Sequence, residues 1–203
     1  TIQNKKYLKP DILPLSKSVS FWSDDFSEPS NWVIEHDSTV CDLDWQIGLN
    51  LTNSGQFPTA PIESTTASNG YAMIDSDGYA QEQGIESSWM TTANSIDLSS
   101  ANNIILQFET WYRAFNNEAC FLVISTDNTD WPNLNAQFDA SSNPNVFEVF
   151  PDVDELETNP ELISINISNV AGGQDSVYIR FHWTGTYGYS WFIDDVAINQ
   201  LQA

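Results

Sequence analysis

The sequence predicts an all-β protein, a jelly-roll β-sandwich of two antiparallel sheets, on three observations. Short runs of alternating apolar and polar residues recur along most of the chain, as half-buried strands require. Clusters of Asn, Asp, Ser, Gly and Pro separate them. No stretch of about twelve residues keeps a helical period, and roughly eight to twelve strands in one chain of this length suit a jelly roll.

Taken in order, residues 1–18 contain Pro10 and Pro14 without any period and read as an N-terminal arm or linker; residues 19–203 read as one domain. Thr1 stands where an initiator Met would, which leads us to expect a processed or excised piece of a larger protein. Trp32 to Glu35 and Tyr71 to Ile74 are weaker strand candidates. Ile104 to Tyr112 alternates, with Leu106, Phe108 and Tyr112 on one face. Cys120 to Ser125 is nearly all apolar and suits a strand covered on both faces. The segment Ser125 to Pro132 reads as a strand-ending turn in which Asp127 and Asn128 fold onto following amides, after which Trp131 re-enters the core. Phe147 to Phe150 and Leu162 to Ile167 are weaker strands. Val177 to Trp183 directs Val177, Ile179, Phe181 and Trp183 inward, and Trp191 to Ile198 closes the domain.

The chain has 203 residues, 28 acidic against 6 basic, for a net charge of −22. Lys5, Lys6, Lys9 and Lys17 lie in the arm, so the domain body carries only Arg113 and Arg180 against 27 carboxylates. That balance excludes nucleic acid, whose phosphates nothing here could neutralise, and a polybasic membrane contact. The aromatic content of 13% excludes intrinsic disorder. No apolar run approaches the roughly 20 residues of a membrane span. With two cysteines, Cys41 and Cys120, and two histidines, His36 and His182, at no metal-binding spacing, structural zinc is not expected. The cysteines read either as a bridge in an exported protein or as free buried thiols.

Four pieces in fixed order resemble a known group: Asp24-Asp25-Phe26-Ser27-Glu28 before Trp32; Trp89-Met90 before Ile96-Asp97-Leu98-Ser99; Leu106 to Trp111 leading to Val123-Ile124-Ser125-Thr126-Asp127; and Ile179-Arg180-Phe181 with Tyr189 to Val196. Together they look like the MAM-like jelly rolls of secreted bacterial surface proteins, the cleaved-adhesin and choice-of-anchor J group. The resemblance spans residues 20–199, and its most specific piece is the closing Trp191-Phe192-Ile193-Asp194-Asp195-Val196. It implies a surface-exposed, non-catalytic module that binds calcium structurally and serves larger adhesins, proteases or glycosidases. Ser27 departs from the group's usual Phe-Glu opening, so Asp25 or Glu28 would have to supply the ligand there.

The residues themselves point to the same metal. Calcium takes six to eight oxygens, two or more from carboxylates. Asp194 and Asp195 interrupt an apolar strand, where alternation should turn one in and one out. A cation shared with Asp25 and Glu28 would compensate them and tie the first strand to the last; the alternative is hydrogen bonding to turn amides or a pair with Arg180. Asp75 and Asp77 before Gly78 form a second candidate, against a plain Asp-Gly turn. Asp152 to Glu157 reads as a solvated acidic loop.

No nucleophile-elbow, zinc-protease or P-loop pattern is present. A carboxylate pair using Glu109 would be the route to a glycoside-active enzyme. The same outward register suggests a ligand face instead: Glu109, Trp111 and Arg113 with Arg180 and His182, where an aromatic flanked by hydrogen-bonding groups suits a sugar or peptide. The alternative is a cross-strand Glu109–Arg180 pair. The expectation is therefore a calcium-stabilised adhesion or ligand-binding module, secreted or at the cell surface, part of a multidomain protein, with an extracellular glycan or protein as partner. A structural spacer or secretion-recognition module is the remaining alternative.

Overall fold

A computed structural model describes residues 19–79, 84–134 and 142–200; the predicted arm, 1–18, lies outside them. Eleven strands form the domain: β1 (Val19–Asp24), β2 (Trp32–His36), β3 (Gln46–Gly48), β4 (Tyr71–Asp75), β5 (Glu86–Thr92), β6 (Ile104–Arg113), β7 (Ala119–Ser125), β8 (Val146–Glu148), β9 (Glu161–Asn166), β10 (Tyr178–Gly185) and β11 (Ser190–Gln200). The helical elements among the described residues include two single turns, α1 (Ser76–Tyr79) and α2 (Ser168–Ala171), and a 3-10 turn at Pro29–Asn31. One sheet runs β3-β4-β11-β6-β9, with β1 also on β11; the other runs β2-β5-β10-β7-β8. All pairings between these strands are antiparallel, and the expected jelly-roll sandwich is what forms.

The core follows the predicted registers. On β6, Ile104, Leu106, Phe108, Thr110 and Tyr112 are buried while their neighbours are half-buried. They meet Val177, Ile179, Phe181 and Trp183 of the opposite sheet in one cluster. Phe108, Trp32 and Trp191 all bring their rings within 6 Å of Phe181. β7 is covered on both sides, as its apolar run demands: Cys120, Leu122 and Ile124 enter the core, while Phe121 and Val123 pack outward against Leu134 and Val146. Both cysteines are buried free thiols, and burial pushes the Cys120 thiol well up.

The two sheets differ in how their outer faces are covered. Between β3 and β4 the chain makes a long excursion, and Leu51, Ile62 and Ala67 from it pack with Tyr71, Met73, Trp111 and Phe192 in a second cluster. This closes the outer face of the first sheet. The second sheet keeps an open groove.

β11 organises the first sheet. Ser190–Ile193 pairs with β4 and Val196–Gln200 with β1, while β6 runs along the other side. Between these halves the register slips and Asp195 sits at φ 50°, a β-bulge. Ile193 and Val196 therefore both enter the core, which leaves Asp194 and Asp195 together on the other side. The alternation expected from sequence, one in and one out, is broken by the bulge.

Candidate functional site

The five residues expected to form one ligand face do not meet. Alternation along a strand gives its inward and outward sides but not its sheet. β6 and β10 lie in opposite sheets, so their outward faces point to opposite sides of the sandwich. Glu109 is held by the Thr65 amide (2.6 Å) and hydroxyl (2.7 Å). Trp111 packs in the cluster beneath the β3–β4 excursion. Arg113 lies 4.5 Å over the Tyr189 ring and 3.8 Å from Glu155. The alternative Glu109–Arg180 pair is excluded by the same geometry.

Arg180 and His182 belong instead to a groove of about 570 Å³ on the second sheet, walled also by Glu35, Trp89, Thr91 and Trp131. β5 places Trp89 opposite His182 and Thr91 opposite Arg180. The Arg180 guanidinium lies 3.7 Å from the Trp131 ring centre and 4.9 Å from that of Trp89. Its Nε donates to Thr91 Oγ1 at 2.9 Å. Among the described residues its terminal nitrogens meet no acceptor and no carboxylate pairs with it. Burial lowers the Arg180 pKa from 12.5 to about 10, against a smaller opposing effect of Glu35. Trp89 donates from Nε1 to Glu35 (3.2 Å) and stands 5.0 Å from the His182 ring.

The sequence reading had Trp131 re-entering the core and assigned Trp89 no place in a ligand site. Both are half-exposed; Trp131 packs against the buried Phe121, Val123, Leu134 and Val146 cluster and also covers Arg180. The turn before it forms as expected: Asp127 Oδ1 accepts from the Thr129 and Asp130 amides, which hold the Asp127 carboxyl at about 2. The clue to Trp89 lay in β5, whose Ser87, Ser88, Thr91 and Thr92 made it look unlike a central strand.

Ser87 Oγ and His182 Nε2 stand 3.0 Å apart, a pair not anticipated from sequence. Burial, and secondarily the Arg180 charge, lowers the imidazole to about 3. A base that weak cannot usefully take a serine proton near neutrality, and Ser87 sits in regular strand, not on a strained turn.

The acidic positions divide differently. Asp194 Oδ2 accepts from Ser64 (2.5 Å), and Thr66 Oγ1 donates to Asp195 (3.0 Å) and lies 3.4 Å from Asp194. Burial raises the Asp194 carboxyl to about 7. It also raises that of Asp195, with further pressure from the Glu109 and Asp25 charges. Asp25, held by Ser27 and Asn69, thus faces the Asp195 seam. Glu28 stands exposed at the 3-10 turn, and none of its side-chain hydrogen bonds reaches this cluster. The buried carboxylate at this end is Asp24, which accepts from Phe26 N (2.9 Å), Asn31 Nδ2 (2.7 Å) and Trp32 Nε1 (3.0 Å).

Asp75 and Asp77, the second candidate pair, anchor the neighbouring loop by hydrogen bonds. Asp75 accepts from the amides of Ser54 (2.8 Å) and Gly78 (2.7 Å), and Asp77 from that of Phe57 (2.7 Å). Among the described residues no three acidic, histidine or cysteine groups converge as a metal shell. The seam is nonetheless rich in oxygen. Gly70 (φ 127°) has the Phe26 and Gly48 carbonyl oxygens beside it, 3.2 and 3.4 Å from where a Cβ would lie. Carboxylates with nearby carbonyls are the donor set that suits calcium.

Among the described residues no helix is long and apolar enough to cross a membrane. No protein-family model matches the chain, and no curated protein matches it either. Among solved structures it is similar to the K1 cleaved adhesin domain of Lys-gingipain from Porphyromonas gingivalis W83, with a TM-score of 0.56 and 16% identity over 89% of this chain and 98% of that one. A family 11 carbohydrate-binding module from Clostridium thermocellum, in complex with a β-1,3-1,4-mixed-linked tetrasaccharide, matches with a TM-score of 0.46 and 12% identity over 91% and 94%. The likeness to the cleaved adhesin domain is one of fold: both chains are built as the same kind of sandwich.

Proposed function

We propose that the chain is a non-catalytic glycan-binding module of a larger extracellular protein, and that its ligand lies in the groove of the second sheet. One observation carries this reading: a desolvated guanidinium stacked between two half-exposed indoles, with no carboxylate among the described residues in ion-pair contact and only a smaller, opposing charge effect from Glu35. Such an arrangement is costly for the fold alone. In a groove it supplies donors for sugar hydroxyls, beside aromatic surfaces that stack on a sugar's C–H faces. Glu35 supplies an acceptor at the same wall. The adhesin-type fold supports the surface setting. Glu109 accepts from the amide and hydroxyl of Thr65 on the opposite face of the sandwich from this groove.

A printed array of neutral and acidic oligosaccharides tests this reading. Binding that is lost in Trp131→Ala and Trp89→Ala, with tryptophan fluorescence changing on titration of the wild type, supports it. An array with no response would leave the spacer reading.

Calcium at the seam of Asp25 and Asp195 is the second part of the proposal. It would relieve mutual repulsion among Asp25, Glu109, Asp194 and Asp195 and join the Phe26 turn to β11. Calcium in elemental analysis, and a melting temperature several degrees lower in chelator, are expected.

A further inference from the structure

A second aromatic cluster stands at the end of the sandwich where β10 turns into β11, on loops that the groove does not include. Phe57 and Phe115, 45% and 55% exposed, flank Tyr189 with ring centres 5.8 and 5.3 Å away. Tyr187 is 39% exposed and held at φ 60°, a left-handed conformation that a bulky residue adopts only against steric resistance. These positions are fixed from below. The Tyr187 amide donates to the buried Glu86 (3.3 Å). Glu118 accepts from the amides of Phe115 (2.8 Å), Asn116 (2.7 Å) and Tyr189 (3.2 Å). Asn116 Nδ2 spans the Thr186 and Tyr187 carbonyls (3.0 and 2.8 Å). A depression of about 760 Å³ opens between Phe115, Asn117 and Tyr187. Asn117 Oδ1 accepts from Thr186, while its NH₂ has no partner among the described residues.

Exposed rings held by strained and bonded backbone are preorganised surface, not collapsed core. We propose that this loop end is a second binding site, for a single neutral pyranose at the end of a glycan. The pocket is bounded by loops, so it suits a terminal sugar, whereas the groove crosses strands. Glu86 and Glu118 beneath it, in a body this acidic, disfavour an anion. A quaternary ammonium would need the Tyr189 face, which Arg113 already covers at 4.5 Å. The proposal rests on the glycan-binding reading but not on the groove.

The test uses the methyl pyranosides of glucose, galactose and mannose, with aromatic NMR signals of the intact domain as readout. At least one should shift the Phe115 and Tyr187 rings without changing tryptophan fluorescence. Tyr187→Gly, which keeps the turn because glycine adopts this φ freely, and Phe115→Ala should each weaken that response at least tenfold; Trp89→Ala should leave it unchanged. No shift with any of the three sugars, a shift that survives both loop variants, or a stronger response to tetramethylammonium would overturn the proposal. Oligosaccharide binding confined to the groove would remove only the second site. Silence at both places would remove the glycan reading itself.

Discussion

Replacing Arg180 by methionine separates what this residue does for a ligand from what it does for the fold. Methionine keeps the length and apolar stem and removes the charge. The fall from 12.5 to about 10 corresponds to a penalty of about 3 kcal/mol for holding the guanidinium in its desolvated place, present at every pH below about 10. Against it stand the contacts with the Trp131 and Trp89 rings, together about 1–2 kcal/mol, and the bond to Thr91, about 1 kcal/mol. The balance is near zero, or up to about 1 kcal/mol in favour of methionine. Breaking a buried ion pair would instead cost about 3–5 kcal/mol. Thermal and urea unfolding decide, since about 1 kcal/mol moves the melting temperature by roughly 2–4 °C in a chain of this size. Arg180→Met should melt within a few degrees of wild type, or above it, while oligosaccharide binding falls at least tenfold. A loss of more than about 3 kcal/mol, or binding left intact, would refute the reasoning.

Other outcomes follow from the same geometry. With its imidazole at about 3 when folded against 6.5 when free, His182 remains neutral in the fold while the unfolded chain takes up a proton. Its contribution is therefore intact above pH 6.5 and is lost as pH falls towards 3, by up to about 5 kcal/mol; His182→Gln should flatten that slope, and identical slopes would sink the assignment. Asp24→Ala strands the Trp32 indole N–H, the Asn31 amide and the Phe26 N–H, and should lower stability by about 2–4 kcal/mol in urea unfolding. In calcium, Asp195→Ala should cost more stability than Asp154→Ala, whose side chain is solvated; equal losses would show that the seam holds no cation. Gly55→Ala would drive its Cβ into the Asp77 side chain and backbone and should destabilise the β3–β4 excursion, read as faster proteolysis there.

Much of the fold was legible in the sequence because period-two patterning reports directly on burial. Leu106, Phe108 and Tyr112 on β6, Val177 just before β10, and Ile179, Phe181 and Trp183 on it face the core as their spacing requires. Patterning carries no information about which sheet a strand joins, and for that reason Trp111 and Arg180 seemed neighbours when they lie on opposite faces. Nor does it foresee a bulge: the extra residue at Asp195 turns two carboxylates to one side, where strict alternation would split them. β5 stayed hidden because Ser87 and Ser88 suppress the apolar signal of a strand whose partners supply the burial. For a related reason nothing local to the turn says that Trp131, packed on the Phe121–Leu134 cluster, would also cover the Arg180 guanidinium.

The long strand β11 has a consequence for how the protein comes into being. It follows every other strand of its sheet in the chain, yet it joins β4, β6 and β1. While a ribosome is still making the earlier residues, β3–β4 and β6–β9 can pair only as separate fragments with unsatisfied edges. The first sheet should therefore close only once β11 has emerged, and until then its interior edges stay open to wrong pairing.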